Sequence, residues 1–119
     1  MKANEKIKKH GKYISRCKEE KNELDIKQIR KIFENNIDAI LLDVRSNQEY
    51  LEGHLNGAIN IPEYEIDKNI EKIINNKNTE IIIYCQIGIR SKKAYKKLIK
   101  LGYNNLYVLK DGIEGKFGN

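Results

Sequence analysis

Short apolar runs of strand length alternate along this chain with segments of helical periodicity, and this alternation limits the fold more than any other feature. The runs that we interpret as strands are 39–44, 58–61, 80–85 and 106–109. The segments that we interpret as helices begin after Asp25 and then cover 46–53, 63–75 and 90–101. Strands joined by single helices require right-handed crossovers, which produce a largely parallel sheet covered on both faces. The sequence therefore predicts an α/β fold.

Local signals support three of these helices. Asp25 is followed three residues later by Gln28, and Ser46 is followed three residues later by Glu49, so both helix starts have the pattern of a capping box. The helix at 63–75 has isoleucines at helical spacing, which we expect to face the sheet. These isoleucines are Ile66, Ile70, Ile73 and Ile74.

The positive charge of the chain is concentrated at its N-terminus. The 119 residues, enough for one domain, carry 23 basic and 17 acidic side chains. Residues 1–22 hold eight basic and three acidic side chains, whereas residues 23–119 hold fifteen and fourteen. We therefore interpret 1–22 as a basic, helical or partly ordered N-terminal extension and 23–119 as the folded domain. Because the excess charge lies outside that domain, we expect no binding of nucleic acid.

The lengths of the apolar runs and the positions of the cysteines indicate which cellular compartment and which cofactors to expect. No run approaches the roughly 18 apolar residues that span a bilayer, and no apolar segment follows the basic N-terminus. We therefore expect a cytoplasmic protein that does not bind membranes. Cys17 and Cys85 form no metal-ligand spacing with His10 or His54, so we expect no metal and no cofactor. A structural disulfide is not expected in this compartment.

Cys85 is the strongest candidate for a reactive side chain. It ends a buried strand, where ligands bind in parallel sheets, and a helix follows within a few residues. The intervening amides, the positive end of the helix and Arg90 all favour a negative charge on the sulfur. The predicted loop consists of Gln86, Ile87, Gly88, Ile89, Arg90 and Ser91. The alternative, a buried cysteine that only packs, does not explain a glycine and an arginine at offsets of three and five.

Three motifs together resemble the single-domain rhodanese-like sulfurtransferases over about residues 24–117. They are Asp43-Val44-Arg45 with Glu49-Tyr50, the run Gly53-His54-Leu55-Asn56-Gly57-Ala58-Ile59-Asn60-Ile61-Pro62, and Cys85-x-x-Gly88-x-Arg90-Ser91. The resemblance implies a rhodanese-like three-layer fold, with a central parallel five-stranded sheet and helices on both faces, in the domain 23–119. It also implies that Cys85 is catalytic and carries a transferable sulfur as a persulfide.

The resemblance further suggests roles for supporting residues. Asp43 and Arg45 would brace the loop through ion pairs and hydrogen bonds, with Glu49 placed to pair with Arg45. His54 would shape a turn rather than act as a base. The loop also departs from the family, which often has Arg and a small residue where Gln86 and Ile87 stand. Capture of an anion would then depend more on Arg90 and on backbone amides.

The function implied is a thiosulfate sulfurtransferase-like enzyme. It would move a sulfane sulfur from a small anionic donor, such as thiosulfate, through the Cys85 persulfide to cyanide, a thiol or a protein cysteine. One alternative is a cysteine-dependent phosphatase or arsenate reductase, although only four residues separate Cys85 from Arg90 where the phosphatase signature has five. Another is a non-catalytic module that binds a protein partner, with residues 1–22 as a docking arm.

Overall fold

The structure, a computed structural model, describes residues 22–117 and contains one five-stranded parallel sheet. The strands are β1 (Glu23–Leu24), β2 (Ile40–Asp43), β3 (Ile59–Asn60), β4 (Ile81–Tyr84) and β5 (Leu106–Leu109). Their order across the sheet is β1-β5-β4-β2-β3, and every neighbouring pair is parallel. The predicted α/β class and the five-stranded parallel sheet are both confirmed.

Helices cover the sheet on both faces, which gives the predicted three layers. They are α1 (Ile26–Asn35), α2 (Asn47–Glu52), α3 (Ile66–Ile73), α4 (Ile89–Lys100) and α5 (Gly112–Phe117). The core between the sheet and α3 and α4 includes Ile70 and Leu98. The core on the opposite face, which involves α1, α2 and α5, includes Ile29, Tyr50 and Ile113. Every residue of β4 is buried, because this strand lies at the centre of the sheet.

The predicted helix starts are largely correct. Both capping boxes form, with reciprocal hydrogen bonds between Asp25 and Gln28 and between Ser46 and Glu49. The segment predicted as a helix over 63–75 instead opens with a 3₁₀ turn, Glu63–Glu65, before α3.

One isoleucine of the predicted buried face of α3 is not buried. Ile73 is 55% exposed, whereas Ile66, Ile70 and Ile74 are buried. The helix ends at Ile73, and the extended backbone of Ile74 turns that side chain into the core instead.

Two elements, β1 and α5, were not predicted. β1 pairs with β5 on one edge of the sheet. The extension predicted at 1–22, with His10 and Cys17, lies outside the described residues except for Asn22, whose carbonyl accepts a hydrogen bond from the Val108 amide at 2.9 Å.

Within residues 22–117, no helix combines the length and apolar character needed to cross a lipid bilayer.

Candidate active site

The carboxyl ends of β2 and β4 bring the predicted site residues together. These strands are neighbours, and Asp43 at the end of β2 lies in register with Tyr84 at the end of β4. The Val44 amide continues the pairing by donating to the Tyr84 carbonyl at 3.0 Å. The segment after β2 therefore lies beside the loop that begins at Cys85.

The sulfur of Cys85 lies inside a loop of backbone amides. Its Sγ accepts hydrogen bonds from the amide of Gly88 at 3.0 Å and from that of Ser91 at 3.3 Å. The Ser91 hydroxyl lies 3.5 Å from the sulfur and donates to the Gly88 carbonyl at 3.0 Å. Gly88 has a φ of 103°, a left-handed conformation that glycine adopts without strain. The side chain of Cys85 does not turn away from the loop, although the residue is only 1% exposed.

The beginning of α4 adds to the positive potential of this loop. The amides of Ile87, Ile89 and Arg90 have no hydrogen-bond acceptor in the described part of the chain. The first amides of a helix lack intrahelical acceptors and form its positive end. Two amides directed at Sγ and unpaired amides beside it form an electropositive loop, which would favour an anionic atom at this position, such as the outer sulfur of a persulfide.

Arg90 is held by Glu49 in a bidentate ion pair. Its two terminal nitrogens lie 2.7 and 3.0 Å from the two carboxylate oxygens of Glu49. Arg90 and, to a smaller extent, the Ser46 amide and hydroxyl lower the pKa of Glu49 from 4.5 to about 2. The expectation that Glu49 pairs with Arg45 was wrong, because the Arg45 side chain folds back onto Asp43 and leaves Glu49 to the arginine of α4.

Arg45 and Asp43 form a buried ion pair beside the loop. Arg45 donates through Nη2 and Nε to the Asp43 carboxylate at 2.7 and 3.1 Å. Nη2 also donates to the Gly53 carbonyl at 2.7 Å, and Nη1 reaches the Gln86 side chain at 3.5 Å. The hydrogen bonds from Arg45 to Asp43 raise the pKa of its guanidinium. The pair thus links the end of β2 to the loop that follows β4, as bracing would require.

Tyr84 belongs to this network, which the sequence did not reveal. Its hydroxyl donates to Asp43 at 2.7 Å and accepts from the Leu55 amide at 3.0 Å. Burial, followed by the Asp43 contact, raises the pKa of Tyr84. Its position directly before Cys85, in register with Asp43, was the signal that could have identified it.

The start of α5 supports the loop from its other side. The amides of Ile113 and Glu114 donate to the carbonyls of Cys85 and Gln86 at 3.0 and 2.9 Å. A Cβ on Gly112 would lie only 2.4 Å from the Gln86 carbonyl oxygen. Only glycine therefore fits at 112, and no local pattern in the sequence indicated this contact.

The remaining motif residues shape the chain around β3. His54 Nδ1 lies 2.9 Å from the Tyr50 carbonyl, and its ring stacks on that of Tyr50 at 3.8 Å between centroids. The Asn60 amide donates to the carbonyls of Asp43 and Arg45 at 2.9 and 3.0 Å. These contacts fit the turn-forming roles that the sequence suggested.

Comparison with known proteins agrees with this geometry. A family model described as rhodanese-like domain matches residues 25–116. A tRNA uridine(34) hydroxylase from Buchnera aphidicola subsp. Baizongia pistaciae is 35% identical over 94 residues, which cover 76% of this chain and 30% of that protein. The chain thus spans less than a third of the length of that relative.

Two solved structures are similar over most of their own length. The rhodanese with anions from E. coli is 34% identical with a TM-score of 0.55, over 62% of this chain and 85% of that one. The human single-domain sulfurtransferase has a TM-score of 0.67 over 76% of this chain and 90% of that one, and its 23% identity shows the fold alone. With the matching domain spanning most of the sequence, the chain belongs to the rhodanese-like family.

Proposed function

We propose that the protein transfers a sulfane sulfur from a small anionic donor, such as thiosulfate, to a thiophilic acceptor through a persulfide on Cys85. The acceptor would be cyanide, a thiol or a protein cysteine. The observation that carries the proposal is the position of the Cys85 sulfur, which accepts hydrogen bonds from the amides of Gly88 and Ser91. Amides directed at this sulfur favour negative charge on it, which is the charge that a nucleophile attacking a sulfane sulfur develops or carries.

The reaction runs in two displacements. The Cys85 thiolate attacks the outer sulfur of thiosulfate, the S–S bond breaks, and its electron pair leaves with sulfite. Cys85 then holds the outer sulfur as a persulfide anion, which the loop amides stabilise as they stabilised the thiolate. The acceptor attacks this outer sulfur and regenerates the thiolate, so that each step transfers one sulfur and conserves charge.

The ion pair of Arg90 favours sulfur transfer over the phosphatase alternative. A phosphatase of this kind needs its loop arginine to bind the oxygens of the substrate, but both terminal nitrogens of Arg90 contact Glu49. The tRNA hydroxylase relative is matched over only 30% of its length, and the nearly balanced charge of the domain 23–119 does not favour binding of tRNA. Transfer of a single sulfur atom therefore accounts better for the site than phosphate hydrolysis or tRNA hydroxylation.

The experiment is a thiosulfate:cyanide assay run beside a phosphate-release assay. We expect thiocyanate formation by the wild type, at least a 1000-fold lower rate for Cys85→Ala because the nucleophile is lost, and no phosphate release. Cys17→Ala is the matched control and should keep the wild-type rate. Undiminished activity of Cys85→Ala would refute the proposal. Complete inactivity of the wild type with every sulfane donor would favour the protein-binding module.

A further inference from the structure

An apolar groove lies between α1 and the segment that leads into β3, and no residue of the loop after β4 lines it. The groove consists of two cavities of about 250 and 410 Å³. Phe33 of α1, Leu41 of β2 and Asn56 line both cavities, so the two form one continuous surface. This surface is separate from the candidate active site.

Part of the backbone of β2 faces this groove without a neighbouring strand. β3 has two residues, which pair with Leu42 and Asp43, whereas β2 begins at Ile40. The Asp43 carbonyl accepts from the Ile61 amide, so the backbone groups of Asp43 point towards the β3 side of β2, and those of Leu41 point to the same side. The amide of Leu41 has no acceptor in the described part of the chain, although the residue is only 8% exposed. Buried amides nearly always have an acceptor, so this donor is suited to a bound group.

An unpaired acceptor lies next to this unpaired donor. The carbonyl of Ala39, which also lines the groove, accepts no hydrogen bond from residues 22–117. In a parallel pair of strands, one residue donates to the carbonyl before its partner and accepts from the amide after it. A single residue of an added strand, placed beside Ile40, would therefore pair with both Ala39 and Leu41. An acyl chain offers neither group, so the two backbone groups match a polypeptide.

The charge of the groove indicates which polypeptide fits. Arg30 of α1 lines the larger cavity, is exposed, and forms no ion pair or hydrogen bond with another described residue. It lies among apolar lining residues such as Ile26 and Phe33, which suits a segment that has an acidic side chain next to apolar ones. Residues 1–22 of this chain carry eight basic and three acidic side chains, so they would meet like charge at this arginine. Charge complementarity therefore favours a segment of another protein.

We propose that this groove binds an extended, acidic and apolar segment of a partner protein, which joins the sheet as a short parallel strand beside Ile40. The Leu41 amide donates to the segment and the Ala39 carbonyl accepts from it, as in other cases of strand addition to a sheet edge. Apolar side chains of the segment contact Phe33 and Leu41, and a carboxylate pairs with Arg30. The site is independent of sulfur transfer at the loop after β4.

The first test needs no partner and measures amide hydrogen exchange of the full chain by NMR. We expect the Leu41 amide to exchange at least about 100-fold faster than the Leu42 amide, which is directed towards β4. Equal protection of the two amides that grows with protein concentration would assign the edge to a second copy of the chain. Equal protection at every concentration would assign it to another part of the same chain. Either result would overturn the proposal.

The second test selects binders for the full chain from a phage library of random heptapeptides. We expect the enriched peptides to alternate apolar residues and to contain Asp or Glu, and a synthetic copy of one of them to slow exchange of the Leu41 amide. Phe33→Ser should weaken binding of that peptide about tenfold and Arg30→Gln about fivefold. Lys31→Gln, which removes an exposed charge of α1 that does not line the groove, is the matched control and should not change binding.

Two further variants separate the groove from other effects. Arg30→Glu should reverse the charge preference, so that a peptide with Lys in place of its acidic residue binds better than the original. Cys85→Ala should bind the original peptide as the wild type does, because the groove is independent of sulfur transfer. Enrichment of no peptide, or binding that neither Arg30→Gln nor Phe33→Ser weakens, would overturn the docking site and leave the proposed function untouched.

Discussion

At the scale of single residues, the charged side chains near Cys85 form ion pairs with one another, Arg45 with Asp43 and Arg90 with Glu49, and these pairs hold the loop in place. The sequence was sufficient to identify Cys85, Gly88 and Ser91, because their contacts lie within one short segment. It was not sufficient to pair Glu49 with Arg90, since that contact depends on how closely α2 approaches α4 in the folded chain. Local motifs predict local geometry, whereas ion pairs between distant segments follow from packing.

The Glu49–Arg90 ion pair makes the free energy of unfolding depend on pH under acidic conditions. Arg90 holds the pKa of Glu49 at about 2 in the folded protein, against an ordinary value of 4.5. The carboxylate therefore stabilises the fold fully above pH 4.5, and this contribution is lost as the pH falls towards 2. We expect Glu49→Gln to cost about 1 kcal/mol near neutral pH, a modest value because the pair is partly exposed.

Thermal unfolding of the wild type and Glu49→Gln between pH 2 and 7 measures this effect. The difference in Tm should be constant above about pH 5 and should shrink below it. Glu52 lies in the same helix, and its carboxylate forms no ion pair among the described residues. Glu52→Gln therefore controls for the change in net charge. A Tm difference for Glu49→Gln that stays the same down to pH 2 would show that the charge of the Glu49 carboxylate is not the source of the stabilisation.

At the scale of elements, the helices and strands with a strong hydrophobic periodicity were predicted from the sequence, and two short elements without such a periodicity were missed. β4 and α4 were clear because an apolar run and a helical pattern meet at Cys85. β1 has only two residues and exists through its pairing with β5, and α5 contains two glycines in a short segment. The start of α5 nevertheless lies so close to the loop after β4 that its amides hold the Cys85 and Gln86 carbonyls and no side chain fits at Gly112.

Gly112 therefore provides a test of how rigidly the loop must be held. Gly112→Ala would force the Gln86 carbonyl to move, because its Cβ would lie 2.4 Å from that oxygen. We expect kcat/KM for sulfur transfer to fall about 10- to 100-fold, since small displacements near a reacting atom are costly.

Gly57→Ala is the matched control, because Gly57 also has a left-handed φ of 85° but nothing lies within 4 Å of its added Cβ. Both variants should lose stability from the strained φ, Gly112→Ala more because of its clash, and Gly57→Ala should keep kcat/KM within about twofold of the wild type. Equal losses of activity in the two variants would mean that α5 does not position the loop.

At the scale of the whole molecule, the parallel sheet determines which segments contact the loop that follows β4. The alternation of strands and helices predicted a parallel sheet, but the strand order β1-β5-β4-β2-β3 is not encoded in any hydrophobic pattern. That order places β4 at the centre, with β2 and β5 beside it. Cys85 therefore follows the central strand, and its loop is contacted from one side by Arg45 after β2 and from the other by Ile113 and Glu114 after β5.

The most direct measurement is the intact mass of the protein after incubation with a sulfane donor. We expect the wild type to gain about 32 Da, the mass of one sulfur atom, and to lose it on addition of cyanide or a thiol reductant. Cys85→Ala should gain nothing under the same conditions. Addition of sulfur to Cys85→Ala, or no gain by the wild type with thiosulfate or another sulfane donor, would contradict a persulfide on Cys85.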